Sequence, residues 1–193
     1  MSNEIIRKRI CNGEEIDVVY RHSVPLEDIN TIPGGWGYYS PMNQRTYEEN
    51  GILCEQDVAI KLRDGVTIYA DIYRPVGQTN IPCIMAWSIY GKRPHDMPRP
   101  WSTYGVPAEA VSSGTKYEGP DPHYWCHYGY AVANVDPRGC GHSEGEMPIW
   151  GDTEAQDGAD VIEWLAQCEW CNGKIGMAGN SMLAMMQWYI AAE

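Results

Sequence analysis

Residues 174–192 read KIGMAGNSMLAMMQWYIAA. A short run of apolar and small residues predicts a buried strand. Gly179 and Asn180 predict a sharp turn, and the apolar residues from Met182 onward predict a helix. A serine at a strand-to-helix turn, here Ser181, is typical of a nucleophile elbow, in which the hydroxyl is pushed out of the sheet. The backbone N–H that follows then points at a developing oxyanion.

The turn departs from the usual Gly-x-Ser-x-Gly pattern, because Leu183 stands where the second glycine is expected. The pattern also has a second interpretation. Serine is a favoured N-cap, so Ser181 could simply cap the helix that follows it. The turn alone therefore leaves both interpretations open.

Composition limits the classes of function. The chain has 193 residues, 44% of them hydrophobic, which is enough to bury the core of one domain. It carries 14 Lys and Arg against 26 Asp and Glu, a net charge of −12. Such a field repels phosphates and anionic lipids, so we expect no nucleic-acid partner and no membrane partner.

The N-terminus and the cysteines indicate a compartment. The first residues, MSNEIIRKRICNGEE, mix both signs of charge and lack the apolar core of a secretory signal. Seven scattered cysteines do not suggest a disulfide framework and suit a reducing environment. We therefore expect a cytoplasmic protein.

Two regions differ in regularity. Residues 1–50 are rich in Gly, Pro and Tyr and are expected to form an irregular N-terminal arm, and residues 51–193 are expected to form the organised domain. Within the second region, segments 57–63 and 66–74 alternate around Asp64-Gly65, which predicts a β-hairpin.

Strands and helices alternate after this hairpin. The apolar runs 82–88 and 130–136 predict strands covered on both faces. Helices are predicted at 121–128 and at 153–168, the latter with a capping box formed by Thr153 and Gln156 and an apolar face that includes Val161 and Leu165. This order predicts an α/β fold with at least five strands.

Four passages carry a resemblance to a known family. They are LRDGVTIYADIYRP (62–75), SIYGK (88–92), VDPRGCGHSEG (135–145) and WCNGKIGMAGNS (170–181). In this order they resemble the N-terminal portion of an α/β-hydrolase, more narrowly the CocE/NonD family of cocaine esterase and X-prolyl dipeptidyl peptidase. The resemblance implies an α/β-hydrolase fold, a mostly parallel sheet with helices on both faces, truncated after the nucleophile helix.

The resemblance also implies roles for three residues. Ser181 attacks a carbonyl carbon, the Met182 N–H forms half of the oxyanion hole, and the Tyr90 phenol forms the other half. The alternative for Tyr90 is an ordinary half-buried aromatic residue. No metal and no organic cofactor is implied.

The catalytic base and its partner are missing from the expected positions. α/β-Hydrolases place Asp and then His after the serine, whereas residues 182–193 contain neither. We expect these two residues, the later strands, a helical cap and a β-sandwich to come from sequence not present here. His142 is the best substitute base, but a solvent-facing turn residue is the favoured interpretation; Asp136 and Arg138 are expected to pair and fix this turn.

An open edge follows from this expectation. Strand 174–179 would lack a neighbour on one side, so the isolated chain is expected to be marginally stable, prone to aggregate, or a homo-oligomer.

Other groups of residues have the spacing of known sites, but structural roles are the better interpretation for them. The group His123, Cys126 and His127 has metal-like spacing without an evident fourth ligand, and an amphipathic helix is the better interpretation. The pair Cys168 and Cys171 lies at a helix end, unlike redox pairs. The turn 139–145 lacks the ending of a phosphate loop. Four aromatic residues could line an acyl or prolyl pocket, although packing is the commoner role: Trp87, Trp101, Tyr104 and Trp125.

Two hypotheses remain. The first is a serine hydrolase, of esterase or X-prolyl peptidase type, that acts on a small ester or peptide through an acyl-enzyme on Ser181. The second is a catalytically silent α/β-hydrolase module with a binding or assembly role.

Overall fold

A computed structural model of the chain describes residues 4–11, 13–21, 39–94 and 105–193. The strands within these ranges are β1 (Glu4–Cys11), β2 (Glu14–Arg21), β3 (Arg45–Glu49), β4 (Ile52–Lys61), β5 (Thr67–Pro75), β6 (Ile81–Trp87), β7 (Ala131–Asp136) and β8 (Cys171–Met177). The helices are α1 (Pro122–His127), α2 (Asp152–Ala166) and α3 (Met182–Ala192), with a 3-10 turn at Ala108–Ala110.

The main sheet has the order β3-β4-β5-β7-β6-β8. Strand β6 is parallel to both β7 and β8, whereas β3, β4, β5 and β7 pair successively in antiparallel fashion. The described sheet is therefore mixed, with three antiparallel and two parallel pairs, and not mostly parallel as expected, because β3, β4 and β5 follow one another as hairpins. Because β6 and β8 are parallel neighbours, their carboxyl ends meet at one edge, which brings together the segments that carry Tyr90 and Ser181.

Helices cover both faces of this sheet. Side chains alternate between the faces along β5. Ile72 packs in the large core with residues of α2 and α3, while Tyr73 packs in a second cluster with Cys126 of α1. The α/β-hydrolase fold expected from the sequence is confirmed.

A β-bulge in β4 redirects its side chains. The register with β5 shifts between Glu55 and Val58, and Asp57 in the bulge has φ of 54°, an uncommon conformation for a residue with a Cβ. Cys54 before the bulge therefore contributes to the small cluster, and Ile60 after it contributes to the large core.

The predicted hairpin around Asp64-Gly65 is confirmed. The N–H of Gly65 donates to the carbonyl of Leu62 at 2.9 Å, and the N–H of Leu62 donates to the carbonyl of Val66 at 2.9 Å.

The predicted capping box is wrong. Helix α2 begins one residue earlier than expected, and its N-cap is Gly151, which has no side chain to cap the helix. Glu154 instead accepts the N–H of Trp150 at 3.0 Å. The apolar face is as expected, with Val161 and Leu165 buried in the core.

Residues 1–50 contain regular structure that the sequence interpretation did not anticipate. Strands β1 and β2 form an antiparallel hairpin, and β3 pairs with β4. The irregular arm is therefore not a correct description of residues 4–21 or 45–49. The glycine-rich passage 33–38 lies outside the described residues, and the division of the chain at residue 50 stays a prediction.

Strand β8 is not buried as predicted. Among the described residues it pairs only with β6, and several of its side chains are exposed. No helix in the described ranges is both long and apolar enough to cross a bilayer.

We expect the chain to self-associate in solution. Besides the open edge of β8, helix α3 exposes Trp188 to 81% and leaves Tyr189 exposed beside it. Strand edges and clustered apolar side chains both promote association. Light scattering after size exclusion should give a mass that increases with concentration, and Trp188→Lys should lower it. Tyr128→Lys, at the exposed C-cap of α1, is the matched control; equal behaviour of the two variants would contradict the expectation.

Candidate active site

Ser181 occupies a strained turn between β8 and α3. Its φ and ψ are 53° and −117°, and the residue is exposed. Such a conformation is costly for a residue with a Cβ, and strain of this kind clusters at functional sites. The Ser181 side chain makes no capping hydrogen bond to α3. The cap interpretation therefore does not describe this serine.

The residues around Ser181 explain the shape of the turn. Gly179 has φ of 152°, which favours glycine, and a Cβ at this position would overlap the side chain of Leu183. Leu183 is buried, so it cannot move aside easily. Because Leu183 stands where the usual pattern has its second glycine, Gly179 has no room for a Cβ.

Gly179→Ala is expected to damage the turn. The substitution combines an unfavourable φ with overlap against Leu183, so the free energy of unfolding should decrease by about 2–4 kcal/mol. Gly173→Ala is the matched control, since Gly173 also has positive φ, 80°, but open space around its Cβ position. Its cost should be about 1 kcal/mol by denaturant unfolding. Equal losses in the two variants would contradict the role of Leu183.

Tyr90 lies next to Ser181. It follows β6 in the chain, and its phenol lies beside the Ser181 side chain. Burial raises the pKa of Tyr90, the nearby Glu118 carboxylate raises it further, and the hydrogen bond from Ser181 opposes this increase. The ring of Tyr117 packs edge-on against Tyr90, with centroids 5.1 Å apart. The structure therefore brings Ser181 and Tyr90 together.

The backbone of Met182 is the third predicted element. Helix α3 begins with the N–H of Met185 donating to the carbonyl of Ser181 at 3.0 Å, and the N–H of Leu183 donates to the carbonyl of Asn180 at 3.0 Å. The N–H of Met182 has no acceptor among the described residues. It is the first N–H of the helix, where the backbone dipoles favour a negative charge.

A buried cluster of charges supports the segment after Tyr90. Lys92 Nζ lies 3.0 Å from Asp57 Oδ1 and 2.9 Å from Asp136 Oδ2. Arg93 Nε lies 2.6 Å from Asp71 Oδ2, and Arg93 also contacts Asp57 at 2.7 Å. Burial raises the pKa of Asp57, but hydrogen bonds from Arg93, from a backbone N–H and from Lys92 outweigh it and lower the pKa to about 2. These ion pairs fix the loop that presents Tyr90.

The sequence that forms this site matches a family of known proteins. Residues 64–193 match the X-Pro dipeptidyl-peptidase (S15) family. The chain belongs to this family. The match includes the hairpin turn, Tyr90 and the whole Ser181 turn.

Individual proteins similar to this chain are also esterases or hydrolases. The chain is 32% identical over 137 residues to cocaine esterase from Rhodococcus sp. (strain MB1 Bresler), covering 71% of this chain and 21% of that protein. A putative serine esterase from Mycobacterium bovis is 29% identical, covering 75% and 23%. A CocE/NonD family hydrolase structure from Staphylococcus aureus has a TM-score of 0.65 and 39% identity, covering 73% and 25%. The chain thus spans about a fifth to a quarter of the length of these relatives.

The three described histidines, His123, His127 and His142, have contacts other than Ser181 or are exposed. The ring of His142 contacts the carbonyl of Ser40 at 2.8 Å, which agrees with a structural role. His123 lines a cavity of about 190 Å³ beside Arg93, and His127 is exposed on α1. His22 and His95 lie outside the described residues. Among the described residues, no His has a hydrogen bond to Ser181.

The expected pairing of Asp136 with Arg138 is wrong. Arg138 forms a bidentate pair with Asp157 of α2, at 2.8 and 2.7 Å, and also contacts Asp64 at 2.7 Å. Asp136 pairs with Lys92 instead. The turn after β7 is therefore fixed to α2 and to the hairpin.

The cysteine motifs do not form sites within the described residues. No group of three metal-binding side chains is present there, and burial raises the pKa of Cys126 to about 12. Cys168 and Cys171 are both free thiols, and burial raises the pKa of Cys168 to about 11. High thiol pKa values indicate unreactive side chains.

Of the four aromatic residues proposed for an acyl or prolyl pocket, the two that are described pack elsewhere in the structure. Trp87 is fully buried, and its indole N–H donates to Glu154 at 3.0 Å. Trp125 packs against Tyr130, at the opposite end of β7 from the site. The other two, Trp101 and Tyr104, lie outside the described residues.

Sequence reasoning missed Glu118 and identified Asn180 only as a turn residue. The carbonyl of Glu118 accepts the Asn180 N–H at 3.0 Å, although the two residues are far apart in the chain. Glu118 lies in a loop without periodicity, so no local pattern indicated its position.

Proposed function

We propose that this chain carries the nucleophile and oxyanion hole of a serine hydrolase that cleaves ester or amide bonds through an acyl-enzyme on Ser181. The observation that carries the proposal is the contact between the exposed Ser181 hydroxyl and the Tyr90 phenol, in a turn where Ser181 makes no bond to its own helix. The names of the relatives support the same chemistry, because they are esterases and hydrolases.

The first chemical step is acylation. Ser181 Oγ bonds to the carbonyl carbon of the substrate and loses its proton to a base, and the carbonyl oxygen becomes an oxyanion. That oxyanion accepts hydrogen bonds from the Met182 N–H and the Tyr90 hydroxyl. The tetrahedral species collapses, the bond to the alcohol or amine breaks, and the leaving group takes up a proton. Water then attacks the acyl carbon, and the acid and Ser181 are released.

The base is the part of this chemistry that the described residues do not provide. A serine hydroxyl is a weak nucleophile until its proton is removed. Imidazole added in solution can serve as that base, because the Ser181 side chain is exposed. We therefore expect acylation of the chain to accelerate with imidazole concentration.

A burst experiment tests the proposal. The chain is mixed with p-nitrophenyl acetate in imidazole buffer, and p-nitrophenol release is followed in time. We expect a burst that approaches one equivalent per chain, followed by slow turnover. An X-Pro p-nitroanilide is run in parallel, and its cleavage would support the peptidase-type substrate over the ester.

Ser181→Ala provides the control, since it removes only the nucleophilic oxygen of an exposed residue. The burst should disappear in this variant. An equal burst in both proteins would contradict the proposal, and no burst in either would favour a catalytically silent module.

A further inference from the structure

Glu118 lies between the Ser181 turn and Tyr90, although it is part of neither. It lies in the loop between the 3-10 turn and α1, with φ of 58°, which is uncommon for a residue with a Cβ. Its carbonyl accepts the N–H of Asn180 at 3.0 Å, and its carboxylate lies beside the Asn180 side chain. The backbone of Glu118 therefore holds the residue that precedes Ser181, and its carboxylate lies next to the same residue.

The same loop also contacts Tyr90, the proposed side-chain donor of the oxyanion hole. The Tyr117 ring packs edge-on against the Tyr90 ring, with an interplanar angle of 84°. The charge of Glu118 acts on the Tyr90 hydroxyl. Two adjacent residues thus reach both Tyr90 and the Ser181 turn.

The environment of the Glu118 carboxyl is unusual for a purely structural residue. Its Oε2 atom is buried and has no hydrogen-bond partner among the described residues. Burial raises the pKa of Glu118, and the hydrogen bond with Asn180 opposes this increase. An unsatisfied buried oxygen costs stability, so its presence calls for an explanation.

We propose that Glu118 is a positioning residue that ties the two halves of the site together, holding the Ser181 turn through Asn180 and placing its carboxylate beside the Tyr90 phenol. The inference rests on the proposed function of Ser181 and Tyr90. Glu118 acts through these neighbours and does not itself touch the reacting atoms.

The placement has a chemical consequence for Tyr90. A phenol donates a hydrogen bond to an oxyanion only while it is protonated. The carboxylate of Glu118 favours the protonated phenol, because it opposes a second negative charge nearby. Among the described groups, Glu118 and Ser181 act on the Tyr90 hydroxyl, and Tyr117 packs against the Tyr90 ring.

A titration that needs no activity tests this coupling. The chain is labelled with [13Cζ]tyrosine, and the Tyr90 resonance is assigned as the one absent from Tyr90→Phe. In Glu118→Gln, which keeps a hydrogen-bonding group beside Asn180 but removes the charge, the midpoint of the Tyr90 titration should shift to lower pH. An unchanged midpoint in a variant with the wild-type melting temperature would overturn the electrostatic part of the proposal.

The rate of Ser181 labelling tests the positioning part. A fluorophosphonate probe is varied in concentration in imidazole buffer, which separates the limiting labelling rate from probe binding. Glu118→Ala and Asn180→Ala should each lower the limiting rate by about tenfold, with little change in probe binding. Glu118→Gln should recover most of the rate, since it can still hold Asn180. Wild-type limiting rates in both alanine variants would overturn this part.

The two proposals fail in different ways. If the wild-type chain shows no labelling at Ser181, the proposed function fails, yet the tyrosine titration still decides whether Glu118 acts on Tyr90. If labelling occurs but neither readout responds to Glu118, the proposed function stands and the role of Glu118 is rejected.

Discussion

Tyr90→Phe is expected to slow acylation of Ser181 by about 10²–10³-fold, which corresponds to about 2.7–4 kcal/mol of transition-state stabilisation. The variant keeps the ring that packs against Tyr117 and removes only the hydroxyl that contacts Ser181. The oxyanion then has the Met182 N–H as its remaining donor. The rate is measured from the p-nitrophenol burst in imidazole buffer.

Tyr130→Phe is the matched control for this loss. It removes the same atom from a tyrosine that packs against Trp125 at the start of β7. Because this end of the strand is opposite the Ser181 edge, its acylation rate should be that of the wild type. A Tyr90→Phe rate equal to that of Tyr130→Phe would contradict the assignment of the phenol to the oxyanion hole.

Lys92→Met is expected to decrease the free energy of unfolding by about 3–5 kcal/mol. The Lys92 side chain is 3% exposed and lies between two carboxylates, Asp57 and Asp136, that are themselves fully buried. Methionine fills a similar volume but provides no charge, so Arg93 is left to compensate the buried carboxylates. Denaturant unfolding followed by tryptophan fluorescence gives the difference.

A surface lysine with similar partners provides the comparison. Lys8 also contacts two carboxylates, Glu15 at 3.0 Å and Asp17 at 3.2 Å, but its side chain is 65% exposed. Lys8→Met should change the free energy of unfolding by less than about 1 kcal/mol, because water screens exposed pairs. Similar losses in the two variants would show that burial does not determine the strength of the Lys92 cluster.

Local patterns in the sequence predicted the parts of the fold that depend on neighbouring residues. The Asp64-Gly65 hairpin and the strand-turn-helix around Ser181 are both encoded by a few adjacent residues. The position of Tyr90 beside Ser181 also followed, because the resemblance places each after one of two parallel strands.

Other features depend on residues distant in the chain. The sequence analysis predicted no partner for Lys92, whose partners Asp57 and Asp136 come from the β4 bulge and from the end of β7. The capping box failed because α2 begins at Asp152, which places Thr153 inside the helix; no local pattern indicated that Glu154, in the first turn, bonds the Trp87 indole and the Trp150 N–H. Glu118 could not be found, since its function depends on a loop conformation that no short pattern specifies.

The most direct test is to locate the covalent adduct of a fluorophosphonate probe. The chain is incubated with the probe in imidazole buffer, digested, and analysed by mass spectrometry. We predict one adduct per chain, on Ser181, that forms more slowly in Tyr90→Phe and not at all in Ser181→Ala. An adduct on any other residue, or no adduct after prolonged incubation with imidazole, would contradict the assignment of Ser181 as the nucleophile.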